Sequence, residues 1–139
     1  MAQDKKLWSN KNWLIFVFKN LMSSDALFSA AHLLLPEVLV SHFDLTKYEI
    51  KDEEIHFYFT ELNTTSKDFK GVKHHSKGFF PEATVRDFPI RGKDVYLHIT
   101  RRRWLNESTG SIVTRNWDLV AKGTRMTSDF ATFLKEVYK

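Results

Sequence analysis

Apolar and polar positions change period several times along this chain. Leu27, Ala31, Leu34 and Leu35 recur at helical spacing, which predicts a helix from Asp25 to Leu35 with Ser23-Ser24-Asp25 as its capping cluster. Pro36 interrupts it, and a second short helix is expected over Glu37 to His42 with Pro36 at its first turn. The period then shortens to two. Leu45 to Ile50 and Ile55 to Leu62 read as strands joined by the acidic turn Lys51-Asp-Glu-Glu54. In the second strand Ile55, Phe57 and Phe59 share one face, and His56, Tyr58 and Thr60 the other. Residues 63–78 are polar and basic and read as a loop, with room for a short strand near Val72. Phe79-Phe80-Pro81-Glu82 and Phe88-Pro89-Ile90-Arg91-Gly92 read as turns carrying aromatic anchors.

The strongest alternation follows. Val95, Leu97, Ile99, Arg101 and Arg103 fall on one face of a strand, and Tyr96, His98, Thr100, Arg102 and Trp104 on the other. Asn106-Glu-Ser-Thr-Gly110 has turn chemistry, and Ile112 to Val120 is the expected return strand. A closing helix is expected after Thr127, its N-cap, with Asp129 near the positive end. Its apolar stripe of Phe130, Phe133, Leu134 and Val137 is expected to dock on the sheet. The expected fold is therefore α+β: a small, mainly antiparallel sheet of two hairpins with helices at both ends.

Length and composition narrow the function. A chain of 139 residues suits one domain, assigned here to residues 22–139. Residues 1–21 stand apart: either sequence upstream of a translation start at Met22, or an extra N-terminal helix. Without cysteine there is no disulfide framework, thiolate zinc site or cysteine nucleophile. The apolar run Trp13 to Phe18 is too short to span a membrane and lacks a following cleavage motif, so the cytoplasm is the default expectation, with nucleoid association expected only through a DNA partner. Charge is unevenly distributed. Residues 67–125 hold 13 Lys/Arg against 6 Asp/Glu, whereas residues 1–66 hold 6 against 9. Such asymmetry suits a polyanionic partner.

Arg101-Arg-Arg-Trp104 concentrates that charge. Same-face residues two apart on a strand are about 6.6 Å apart, so Arg101 and Arg103 can reach neighbouring phosphates. Arg115, Lys122 and Arg125 add to the field, and Trp104 is a candidate for stacking on bases, whereas Trp117 is expected in the core. The competing reading is a solubilising edge in which the arginines pair with Glu107 and Asp118. Three consecutive arginines between apolar residues and an indole exceed what solubility requires. Adjacent His74 and His75 point apart in an extended chain, and no metal or catalytic motif is present, so neither a metal, a cofactor nor an enzyme activity is expected.

Leu34-Leu-Pro-Glu37, Ser76-Lys-Gly-Phe-Phe-Pro-Glu82, Asp87-Phe-Pro-Ile-Arg-Gly92, Val95-Tyr-Leu-His98, Arg101-Arg-Arg-Trp104 and Leu119-Val-Ala-Lys-Gly-Thr-Arg-Met-Thr127 occur in that order. Together they resemble the N-terminal region of the ISAon-type insertion-sequence transposases, over about residues 26–138. The resemblance implies a module of DNA transposition that recognises terminal inverted repeats and leaves cleavage to a separate catalytic transposase subunit or domain. Related transposases carry a cysteine zinc finger at this place; this chain has no cysteine, and zinc is not carried over. The binding role is assigned by charge and position to Arg101, Arg102, Arg103, Trp104, Arg115, Lys122 and Arg125, with double-stranded transposon-end DNA as partner. Two alternatives stand: a module that docks the catalytic subunit, and an RNA binder.

Overall fold

The computed structural model of the chain describes residues 30–64, 69 and 71–139. The leader 1–21, the cap cluster at 23–25 and Leu27 lie outside them; residues 30–34 are helical as expected. The chain divides between Leu35 and Pro36, and the unit Pro36–Lys139 carries all that follows.

That unit opens with α1 (Glu37–His42), capped by Pro36. Two strands follow directly, β1 (Phe43–Lys51) and β2 (Glu54–Glu61), paired antiparallel. Asp52 turns the chain between them with φ 48°, a conformation that Asp tolerates better than most residues. Next come β3 (His74–Phe79), β4 (Ala83–Ile90), β5 (Lys93–Thr100), β6 (Arg102–Asn106) and β7 (Ile112–Val113), and the chain closes with α2 (Ser128–Val137). The fold is α+β, with a four-stranded sheet in the order β1-β2-β5-β4 and a three-stranded sheet in the order β3-β6-β7.

Three expectations need correcting. First, the larger sheet does consist of two hairpins, but the second is β4–β5, and β2 and β5 join the hairpins as a parallel pair. Parallel neighbours need a long crossover, and residues 62–92 provide it. Phe88-Pro89 looked like a turn because proline lacks a ladder donor. It lies instead on the sheet's outer strand β4, where that loss is tolerated, and the register slips between Asp87 and Ile90. Second, β3 occupies the expected loop. His74-His-Ser-Lys-Gly-Phe79 has no apolar alternation of its own, and its strand form follows from pairing with β6. Gly78, at φ 77°, lies where that register shifts. Third, the strand expected to run on to Trp104 breaks at Arg101. β5 belongs to one sheet and β6 to the other, and the return strand shrinks to Ile112–Val113.

The core follows the sequence pattern closely. Val95 and Leu97 are fully buried; Ile99, Ile55, Phe59 and Val85 are nearly so, along with Leu39, Phe43, Phe130 and Ala131. The cap of α2 is as expected: Thr127 Oγ1 accepts from the Phe130 amide and donates to the buried Asp87 carboxylate at 2.8 Å. Phe130 and Phe133 pack on Phe88 at 5.1 and 5.5 Å between ring centres, although Phe133 remains 47% and Val137 56% exposed. No helix among the described residues is long and apolar enough to cross a membrane.

Candidate nucleic-acid interface

Strand alternation divides the Arg101-Arg-Arg-Trp104 run into two environments. Arg102 and Trp104 point inward from β6, and Arg103 points to solvent. Trp104 is completely buried and donates its indole N–H to Glu61 Oε1 at 3.2 Å. Glu61 ends β2 with its own side chain buried. It accepts the Arg102 amide at 2.7 Å and lies 3.7 Å from the Arg115 guanidinium. Arg102 donates from its side chain to the Glu61 carbonyl at 2.7 Å and to Ser76 Oγ at 2.8 Å, over the ring of Phe79. Arg115 is only 5% exposed, with its guanidinium 4.5 Å from the ring centre of Trp104, 5.0 Å from Phe69 and 5.6 Å from Trp117. It also donates to the Thr64 carbonyl.

This cluster ties the two sheets together. A buried charge is tolerated only when paired and hydrogen-bonded, and Glu61 answers Arg115 while aromatic faces surround it. Trp104 and Arg115 are therefore corrected from DNA contacts to structural members of the fold, while Arg102, half-buried like Arg101, has its guanidinium engaged by the Glu61 carbonyl and Ser76. Trp104 has no face left for a base, and the guanidinium of Arg115 is enclosed.

The other four expected cations are placed differently. Arg101 is half-buried, and Arg103, Lys122 and Arg125 are exposed. The guanidinium groups of Arg101 and Arg103 both lie against the ring of Phe80, at 5.7 and 5.8 Å from its centre. Phe80 is held there by its amide, which donates to the Arg101 carbonyl at 2.9 Å. Among the described residues none of these four cations has a carboxylate within ion-pair distance. The carboxylates once expected to quench them are engaged elsewhere: Glu107 with His75 at 3.0 Å, and Asp118 with the Asn116 amide at 2.9 Å.

Beside Arg101 lies a cleft of about 460 Å³ walled by Phe43, Val85, Ile99, Trp117, Leu119 and Val120. Arg101 and Lys122 supply its cations, and Asn116 and Asp118 its polar groups. Trp117 is half-buried rather than fully buried, stacked on His42 at 4.8 Å with its edge to Phe43 at 5.6 Å. Asp118 holds φ 49°, a conformation uncommon for a residue with a side chain.

His74 bonds the Val72 carbonyl and His75 bonds Glu107, so the two diverge. His56 and His98 meet at 2.8 Å on the outer face of the larger sheet, in a stacked column between Tyr96 and Tyr58. Among the described residues no His/Cys/Asp/Glu group is arranged to hold a metal ion.

Sequence reasoning overlooked Glu61 and Phe80. Glu61 carried a readable signal: it continues the Ile55, Phe57, Phe59 face at the next two-residue step. A carboxylate on a buried face needs a cation, and Arg115 is that cation. Phe80 carried no comparable signal, because its part depends on the break at Arg101. No protein-family model, curated protein or solved structure matches this chain.

Proposed function

We propose that this chain is the DNA-binding N-terminal module of an insertion-sequence transposase, recognising the element's terminal inverted repeats without cleaving them itself. The observation that carries the reading is the group of half-buried Arg101 and exposed Arg103, Lys122 and Arg125, four cations with no carboxylate within ion-pair distance among the described residues. Phe80 holds the first two guanidinium groups against one ring, which limits the side-chain freedom that phosphate binding would otherwise have to restrict. The resemblance to ISAon-type transposases supplies the biological setting. Catalysis then belongs to a separate acidic domain or subunit.

The mechanism is neutralisation of backbone phosphates by these side chains, which positions the duplex. If each neutralises one phosphate, log K falls with log salt at a slope of about −3.6. Fluorescence anisotropy with an element-end duplex and a random duplex, each over a salt series, tests both parts. A slope near that value with tighter binding to the end duplex supports the reading. A flat salt dependence removes the electrostatic mechanism, and equal affinity for the two duplexes removes the end-recognition role.

A second reading has its own observation. Tyr48 and Ile50 pair with Phe57 and Ile55, on the core face of the sheet, yet they lie on its outer strand 53% and 62% exposed. An apolar edge of this kind suits docking of the catalytic subunit. Arg101→Ala with Arg103→Ala separates the two: loss of DNA with retained subunit association supports the first, and the reverse supports the second.

A further inference from the structure

The cleft beside Arg101 has a chemistry of its own. Its volume of about 460 Å³ lies within the range of ~300–1,000 Å³ typical of sites that enclose a small molecule. Its walls are largely apolar and include an indole, and its charged groups are two cations and one carboxylate. Asn116 and Asp118 are tied together by two hydrogen bonds, side chain to side chain at 2.9 Å and Asp118 amide to Asn116 Oδ1 at 3.1 Å. Those bonds leave the second Asn116 N–H and the second Asp118 oxygen without a hydrogen bond among the described residues. One donor and one acceptor thus stand together at fixed positions, held by a backbone with φ 49° at Asp118.

Apolar walls suit the faces of a flat ring, a paired donor and acceptor suit a hydrogen-bonding edge, and cations suit an attached phosphate. These three features describe a nucleotide whose base is unpaired. Arg101 decides between a free nucleotide and one within a strand. It lines the cleft and also stands beside Arg103 on Phe80, outside the cleft lining. A phosphate chain bound along Arg103 and Arg101 therefore leads to the cleft. We infer that the cleft receives one unpaired nucleotide of the bound DNA strand while the neighbouring arginines hold its backbone. This rests on the DNA-binding reading above and adds a preference for distorted or unpaired sites, because extruding a base costs least where pairing is already weak.

The test compares anisotropy titrations of the full chain with two short duplexes identical except for one central mismatched pair. The mismatched duplex is expected to bind roughly 10-fold tighter, since part of the unpairing cost is already met. Ala83→Leu and Val120→Phe each fill the cleft from an exposed position and are expected to abolish that preference while keeping affinity for the paired duplex. Circular dichroism confirms that each variant is folded, and either variant suffices if the other is not. Equal affinity for the two duplexes overturns the inference, and so does a preference that survives filling. Deoxyadenosine monophosphate binding as tightly as the mismatched duplex overturns the strand-borne assignment. If paired DNA binds with the expected salt slope and the mismatch adds nothing, only this inference falls. If neither duplex binds at low salt, the DNA-binding reading falls with it.

Discussion

Arg102 and Arg103 are adjacent in sequence, yet they belong to different regions of the molecule. Arg102 joins the interior cluster of Glu61, Trp104 and Arg115, whereas Arg103 joins the open surface of Arg101, Phe80 and Lys122. In both regions a guanidinium meets an aromatic ring. What differs is the hydrogen bonding: the Arg102 guanidinium is held by the Glu61 carbonyl and Ser76, and that of Arg103 has no such bond among the described residues. The Glu61 carboxylate pairs with Arg115 and accepts the Arg102 amide and the Trp104 indole N–H, so this cluster serves the fold. Among the described residues no carboxylate lies within ion-pair distance of the surface group. The comparison teaches that an arginine-rich run need not act as one unit. A two-residue period divides it, and hydrogen bonds from other strands engage one half.

The largest effect should come from breaking the interior region. Glu61→Ala removes a buried carboxylate that pairs with Arg115 and accepts the Arg102 amide and the Trp104 indole N–H, and should cost about 3–5 kcal/mol of stability. Urea denaturation measures it, and a loss below about 1 kcal/mol would mean the cluster is more hydrated than its burial implies. The surface region should respond in the opposite sense. Arg101→Ala with Arg103→Ala should change stability by no more than about 0.5 kcal/mol, as surface substitutions usually do. The same pair should lower the magnitude of the salt slope for DNA by about 1.8, and a slope that does not move would show that these arginines do not meet phosphates.

Thr127→Ala sharpens the comparison at a second buried polar pair. It removes both the α2 cap and the hydrogen bond to buried Asp87, for an expected loss of ~1–2 kcal/mol. Thermal melting would follow it; an unchanged midpoint would mean that water replaces both interactions. The smallest effect lies on β1, at an exposed charge cluster outside both regions. Hydrogen bonds from Lys47 and Lys51 lower the Glu49 carboxyl from 4.5 to about 2. A lowered carboxylate stabilises the fold above its ordinary range and loses that contribution as pH falls through the folded value. Melting midpoints of the native chain and Glu49→Gln should therefore differ by a small constant amount above pH 4.5 and converge towards about 2. A gap that persists at the lowest pH would exclude ionisation as its source.

The candidate site was legible in part. Arg101, Arg103, Lys122 and Arg125 could be chosen from charge asymmetry alone, and they are the ones the fold leaves accessible. Trp104 and Arg115 carry the same local signal and are enclosed, and the guanidinium of half-buried Arg102 is hydrogen-bonded within the fold. Strand alternation sets Arg102 and Trp104 apart from Arg101 and Arg103, but which face is turned inward is decided by Glu61, about 40 residues earlier on another strand.

Local pattern by itself determined the bounds of α1, the β1–β2 hairpin, the buried row Val95, Leu97 and Ile99, and the Thr127 cap of α2. Each depends on contacts between residues close in the chain, or on a period that only one face can satisfy. Tertiary structure alone decided the parallel pairing of β2 with β5, the strand form of β3, the break at Arg101 and the cleft beside it. Those features arise where distant segments compete for the same hydrogen-bonding edges and the same buried volume, and the outcome of that competition is not written in the period of any one segment.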